Sequence, residues 1–346
     1  MKKLISILLL VAFMLVTACS SSSKDSSETT NAKETVTGVQ YPLTVVDQAG
    51  REVVIESEPQ RLISPYYITT SLFIALDIDS RMVGIESNPE KRDIYRLSSP
   101  ELLDLPTVGS PKDFDFEACV ALEPDLVVLP MRLSSVADQL AELDIDVLIV
   151  NPENAELFEE AAVLVATATN ALDKEAELIS YINGVRDLLE TSLADVTPVS
   201  IYMGGNSDFL STAPSGMYQS DMIALAGCSN VGDEIDDTYW AEVSYEQILV
   251  WNPEYIVLAA NSVYTVDDVL NNPSLAVCDA VVNRNVVKLP VDAEAWDSPV
   301  PGSVLGSLWL ASVIYPDIIS EETCYETIED FYETFYGFSY SSISEE

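Results

Sequence analysis

One segment of the chain occurs twice, and this repetition limits the possible folds more than any other feature. Glu117-x6-Pro124-Asp125-Leu126-Val127-Val128-Leu129 recurs as Glu246-x6-Pro253-Glu254-Tyr255-Ile256-Val257-Leu258, with Glu, Pro, Val and Leu identical at an offset of 129 positions. In each copy a short helical pattern leads through proline into an apolar, β-branched run. A weaker echo pairs Ile74-Ala75-Leu76 with Ile223-Ala224-Leu225. Such a chain is expected to build two similar halves. Its length agrees, because the part from Tyr41 onward exceeds what a single core usually holds.

The runs at 62–63, 82–85, 126–129, 147–150, 199–203, 255–258 and 286–289 read as strands bounded by Pro, Gly, Asn and Asp. Helical spacing of apolar residues falls between them, at 70–76, 117–122, 136–143, 220–226, 246–250, 266–270 and 304–314. This alternation predicts an α/β fold with mainly parallel sheets, since parallel strands need crossover helices and are buried on both faces. The middle differs. Residues 156–169 and 173–193 form consecutive amphipathic helices with no strand between, and Ile179, Ile182, Val185, Leu189 and Leu193 lie along one stripe. They predict a helical connector, 156–195, between an N-terminal lobe, 41–155, and a C-terminal lobe with its own last helix, 196–346. A helix of that length extends ~30 Å and acts as a strut.

Lys2 and Lys3 precede an almost unbroken apolar run, 4–16, and Val16-Thr17-Ala18 sets small residues before Cys19. This reads as a lipoprotein signal peptide, 1–18, because the run is short for a ~30 Å hydrocarbon layer. Cys19 would then carry lipid on its sulfur and anchor the chain outside the cell membrane. Residues 19–40, rich in Ser, Thr, Lys and Glu, read as a disordered tether.

With 57 acidic against 16 basic residues the formal charge is -41, which opposes binding to nucleic acid. Histidine is absent, and with it Ser-His-Asp, Cys-His and His-rich zinc chemistry. No phosphate-binding or dinucleotide glycine motif occurs. No catalytic residue, metal site or cofactor is assigned. The cysteines after Cys19, at 119, 228, 278 and 324, have no Cys-x-x-Cys spacing and are expected to be buried free thiols, with Cys278–Cys324 the alternative pair.

Further segments carry a family likeness. They include Val45-Val46-Asp47-Gln48-Ala49-Gly50-Arg51, Pro59-Gln60-Arg61-Leu62-Ile63, Val108-Gly109-Ser110, the repeated Glu-x6-Pro units, the run from Trp240 to Leu249, and Trp296-Asp297-Ser298-Pro299. Leu308-Trp309-Leu310-Ala311 and Tyr315-Pro316-Asp317 complete the set. In order and spacing these resemble the class III periplasmic binding proteins of ABC importers, which deliver ferric siderophores, haem or corrinoids. The resemblance implies two Rossmann-like α/β lobes joined by one long rigid helix, with modest closure on a ligand. It implies a monomeric receptor whose partners are a permease with its ATPase and a small metal chelate or macrocycle, with ferric siderophore ahead of corrinoid and haem. A surface lipoprotein enzyme working in the crevice is the competing reading.

Glu117 and Glu246 match the two glutamates that, in this family, meet arginines of the permease. Both also stand in the first turn of a helix, behind the N-caps Asp115 and Ser244, with Ser244 to Gln247 fitting a capping box. Ligand contacts are expected where loops leave the strand ends at the crevice. These nominate Tyr66, Tyr67, Met131 and Arg132 in the first lobe, and Asn206, Tyr218, Trp240, Asn261 and Trp296 in the second. Aromatics offer flat surface to a chelate, and Arg132 could pair with a carboxylate or ferric catecholate. Met131, Met203 and Met217 are read as packing rather than as thioether ligands.

Overall fold

The apolar runs pair as parallel strands, and they do so twice in the same order. The computed structural model describes residues 38–236 and 239–345; the predicted signal segment, Cys19 and most of the predicted tether lie outside them. The first lobe opens with a hairpin, β1 (Leu43–Val46) and β2 (Glu52–Ile55), followed by β3 (Leu62–Ile63), α1 (Tyr67–Ala75), β4 (Met82–Gly84) and α2 (Asp93–Ser98). A second hairpin, β5 (Gly109–Ser110) with β6 (Asp113–Phe114), leads to α3 (Phe116–Ala121), β7 (Leu126–Pro130), α4 (Ser134–Ala141) and β8 (Asp146–Val150). Two connector helices follow, α5 (Ala155–Thr169) and α6 (Leu172–Ser192).

The second lobe begins with β9 (Val199–Gly204), β10 (Ser211–Thr212), α7 (Tyr218–Leu225) and β11 (Cys228–Asn230). It continues with β12 (Ala241–Glu242), α8 (Tyr245–Trp251), β13 (Tyr255–Leu258), α9 (Val266–Leu270), α10 (Asp279–Val282) and β14 (Val286–Lys288). Helices α11 (Val304–Ile314) and α12 (Glu321–Tyr336) follow. The two main sheets run β4-β3-β7-β8 and β11-β9-β13-β14, all parallel.

The repeat explains this symmetry residue by residue. Successive side chains of a strand face opposite ways. Val128 and its counterpart Val257 enter an apolar layer shared by both lobes, together with Leu62, Leu148, Ile201 and Met203. Leu129 and Leu258 face the other way, into a layer private to each lobe: Leu129 meets Cys119, Ala137 and Leu140 under α3 and α4, while Leu258 meets Ile248, Val269 and Val281. Full burial of one such side chain contributes ~1.5–3 kcal/mol. The acid after the repeated proline is structural as well. Asp125 accepts from the Gln60 and Arg61 amides at 2.8 and 2.9 Å, and Glu254 from the Ser200 amide at 3.0 Å, each tying the start of a neighbouring strand.

The opening Asp47–Arg51 turn also has a physical role. Asp47, buried, accepts from the amides of Ala49, Arg51 and Ile149, so it closes its own turn and anchors the hairpin to β8. In the connector, Asn154 caps α5 by accepting from Leu157, and Asn170 ends it in the left-handed region at φ 59°. Leu178, Ile182, Val185 and Leu189 form the buried stripe of α6, which packs on α5, α7 and α11. Next to this strut, α12 returns to pack on α1 of the first lobe, a second tie that the pattern had not indicated.

One local expectation holds and one changes. All four described cysteines are buried free thiols, as expected, and the alternative pair does not form, because Cys278 lies in the outer layer of the second lobe and Cys324 in the shared layer. Ser244 caps α8 by accepting from Gln247 at 3.2 Å, while the reciprocal capping box is built at Thr265 and Asp268. Among the described residues no helix is long and apolar enough to cross a membrane.

Candidate ligand-binding site

Side chains that leave the C-terminal ends of the parallel strands gather between the lobes. After β3 the chain turns through Ser64, whose hydroxyl donates to the Tyr66 carbonyl at 2.9 Å, and Tyr66 meets Tyr67 edge to face at 5.7 Å between ring centroids. After β7, Pro130 ends the ladder and Met131 and Arg132 follow in a single turn of 3-10 helix. Tyr66, Met131, Arg132, Asn151 and Glu153, with Tyr239 from the second lobe, line a cleft of about 510 Å³. Burial raises the pKa of Glu153.

A smaller cavity of about 70 Å³ lies between Tyr67, Ser71, Lys91 and Arg92 of the first lobe and Asn261, Glu294 and Val300 of the second. The Arg92 guanidinium sits 4.0 Å from the Tyr67 ring centroid, a cation–π contact. Lys91, Arg92 and Arg132 have no carboxylate partner among the described residues, whereas Arg51, Arg81, Arg96, Lys174 and Arg186 do. Unpaired cations at a crevice suit an anionic solute.

The profile described as periplasmic binding protein matches residues 62–293. The chain belongs to that family. This periplasmic binding protein is 28% identical over 324 residues to the molybdate-binding protein MolA of Haemophilus influenzae, covering 86% of this chain and 91% of that protein. A solved structure of MolA with molybdate bound superposes with a TM-score of 0.74, covering 86% and 99% of the two chains. The substrate-binding lipoprotein YvrC of Bacillus subtilis is 25% identical, covering 90% and 97%. The Fe(3+)-citrate-binding protein YfmC of the same organism is 24% identical, covering 85% and 91%. The chain is accordingly the solute-binding component of an ABC importer, acting outside the cytoplasm on a permease partner, and it is not an enzyme.

In this binding protein the nominated residues divide. Tyr66, Met131 and Arg132 line the wider cleft, and Tyr67 with Asn261 the smaller cavity. Asn206 follows β9; its side-chain oxygen is buried without a hydrogen-bond partner. Trp240 lies over Gly205 beside it, so close that an added Cβ there would stand 3.0 Å from the indole. Two nominations need correction. Trp296 is 1% exposed, donates its indole N–H to the Tyr332 hydroxyl at 2.9 Å and stacks on Tyr340, so it packs the core and presents no surface to a solute. Tyr218 is the first residue of α7, is buried, and lines neither crevice cavity but a groove of about 440 Å³ among α5, α6, α7 and α11. There the one arginine, Arg186, is paired with Glu159 at 2.6 Å. Met203 is fully buried in the shared layer.

Glu117 and Glu246 are exposed, each in the first turn of the equivalent helices α3 and α8. The sequence reading missed Lys91, Arg92, Tyr239 and Glu294. Lys91 and Arg92 follow β4, so the strand-end rule that nominated Tyr66 reaches them once the loop 85–92 is counted as crevice. Glu294 carried no signal among so many acids.

Proposed function

We propose that this importer component captures a small anionic solute between its lobes, an anionic ferric chelate such as a ferric siderophore first among them. The observation that carries this reading is the placement of Lys91, Arg92 and Arg132, unpaired, on the crevice of a chain whose formal charge is -41. A cleft of about 510 Å³ with aromatic and methionine walls suits a chelate. An oxyanion is the second reading, favoured by the size of the 70 Å³ cavity beside Arg92 and by the likeness to a molybdate-binding protein. Glu117 and Glu246 serve as paired docking charges for the permease, and Cys19 as the lipid-bearing residue, in keeping with the naming of YvrC as a lipoprotein.

Calorimetric titration of the full chain with ferric citrate, a ferric catecholate siderophore, molybdate and cobalamin tests the reading. Saturable binding of one or more of the anions, without binding of cobalamin, is the expected result. Binding of cobalamin alone, or of none of these, overturns it.

A further inference from the structure

The groove beside Tyr218 is separate from the crevice, and its charge is the reverse of the crevice's. Its volume is about 440 Å³, enclosed by α5, α6, α7 and α11. Phe158, Ile182, Leu189, Met222 and Val304, all buried, form an apolar floor. Ala155, Ala224, Gly227 and Ser307 also line it, and side chains this small leave the space between the helices unfilled.

Four charged residues border this floor. Arg186 is the one cation among them, and it is already engaged: its guanidinium pairs with Glu159 at 2.6 Å and donates to the Asn183 side chain at 2.6 Å. Glu190 of α6 and Asp221 of α7 remain, both exposed and therefore at the rim. Neither has a cationic partner among the described residues, and the Asp221 carboxylate accepts only a long bond, 3.5 Å, from the Ala155 amide. Folding accounts for Asp221, which stands in the first turn of α7, where the helix dipole favours an acid. Glu190 is different. It lies in the last turn of α6, where the same dipole disfavours a negative charge.

An apolar floor with unpaired negative charge at its rim fits a molecule with an apolar body and one cationic head. The tail displaces water from the floor, and the head meets the carboxylates in charge-assisted hydrogen bonds. We propose that this groove is a second binding site that takes a lipophilic ammonium ion, its tail against the floor and its head toward Asp221 and Glu190. Neither Arg92 nor Arg132 lines the groove, so the inference does not rest on the anionic-solute reading.

Calorimetric titration of the full chain at pH 7 with n-octylammonium, n-octanol and octanoate, which share one tail and differ in the charge of the head, tests the site. One octylammonium per chain is expected, bound about tenfold more tightly than octanol, with octanoate the weakest. One more carbon in the tail of the amine should tighten binding about three- to fourfold. Because the whole chain is acidic, a variant assigns the position: Asp221→Asn with Glu190→Gln should bring octylammonium and octanol to within about twofold of each other, whereas Arg92→Ala with Arg132→Ala should leave the preference unchanged. Equal affinity for the three heads, tightest binding of octanoate, or no saturable binding of octylammonium overturns the proposal on the unaltered chain alone. A preference that survives Asp221→Asn with Glu190→Gln, or that is lost with the crevice arginines, overturns it as well.

Discussion

The two lobes share one plan, yet they present opposite chemistry to the gap between them. The first lobe brings Lys91, Arg92 and Arg132 to the crevice without carboxylate partners, beside Tyr66 and Tyr67. The second brings the amide of Asn261 and the buried acid Glu294; its nearby Lys288 is tied to the Ser262 carbonyl at 3.0 Å. The strands, caps and strand-tying acids are repeated because they serve folding, whereas the crevice side chains are not. On the proposed anionic-solute reading, the first wall meets the solute's charge and the second supplies polar contacts.

This asymmetry is open to direct attack. The largest effect is expected from Arg92→Ala combined with Arg132→Ala. Hydrogen bonds to charged groups contribute ~1.5–3 kcal/mol each, so loss of both should weaken anion binding about 100-fold or more. Asn261→Ala, measured by the same titration, should cost less than about tenfold. Equal losses from the two walls would erase the distinction.

A smaller effect, on stability, belongs to the acids of the second wall. Burial raises the pKa of Glu294 to about 7 from 4.5 and that of Asp297 to about 6 from 3.8. Both carboxyls hold protons more tightly folded than unfolded. Their contribution is complete below about pH 4 and is lost as pH rises to about 7, at up to ~1.4 kcal/mol per unit for each group. Thermal midpoints should fall over that range, and Glu294→Gln with Asp297→Asn should flatten the fall.

The smallest effect on the crevice is expected from the outer face. Glu117→Ala with Glu246→Ala should leave anion affinity unchanged within about twofold and abolish uptake into cells, because exposed charges steer docking. Normal uptake by this variant would remove their docking role.

Much of the frame was legible in the sequence because burial on both faces leaves parallel strands as short β-branched runs, and because Glu117 to Leu129 and Glu246 to Leu258 repeat in register. The crevice was only half legible. Tyr66, Met131 and Arg132 follow strands directly, so a strand-end rule finds them. Arg92 is separated from β4 by a loop, and Glu294 belongs to an irregular segment after β14, where no periodicity marks direction. Trp296 misled for a related reason: an aromatic beside a crevice segment can face either way, and its indole N–H found Tyr332 inside the core. The hairpin β1–β2 escaped because its alternating strands are short and half exposed.

The most direct test of anion capture by the first wall is a crystal structure of the chain loaded with whichever of molybdate or ferric citrate it binds. Ligand oxygens are expected within hydrogen-bonding distance of Arg92 or Arg132, between the lobes. A ligand held elsewhere, for instance in the helical groove beside the paired Arg186, or one that touches neither arginine, would contradict anion capture by this wall.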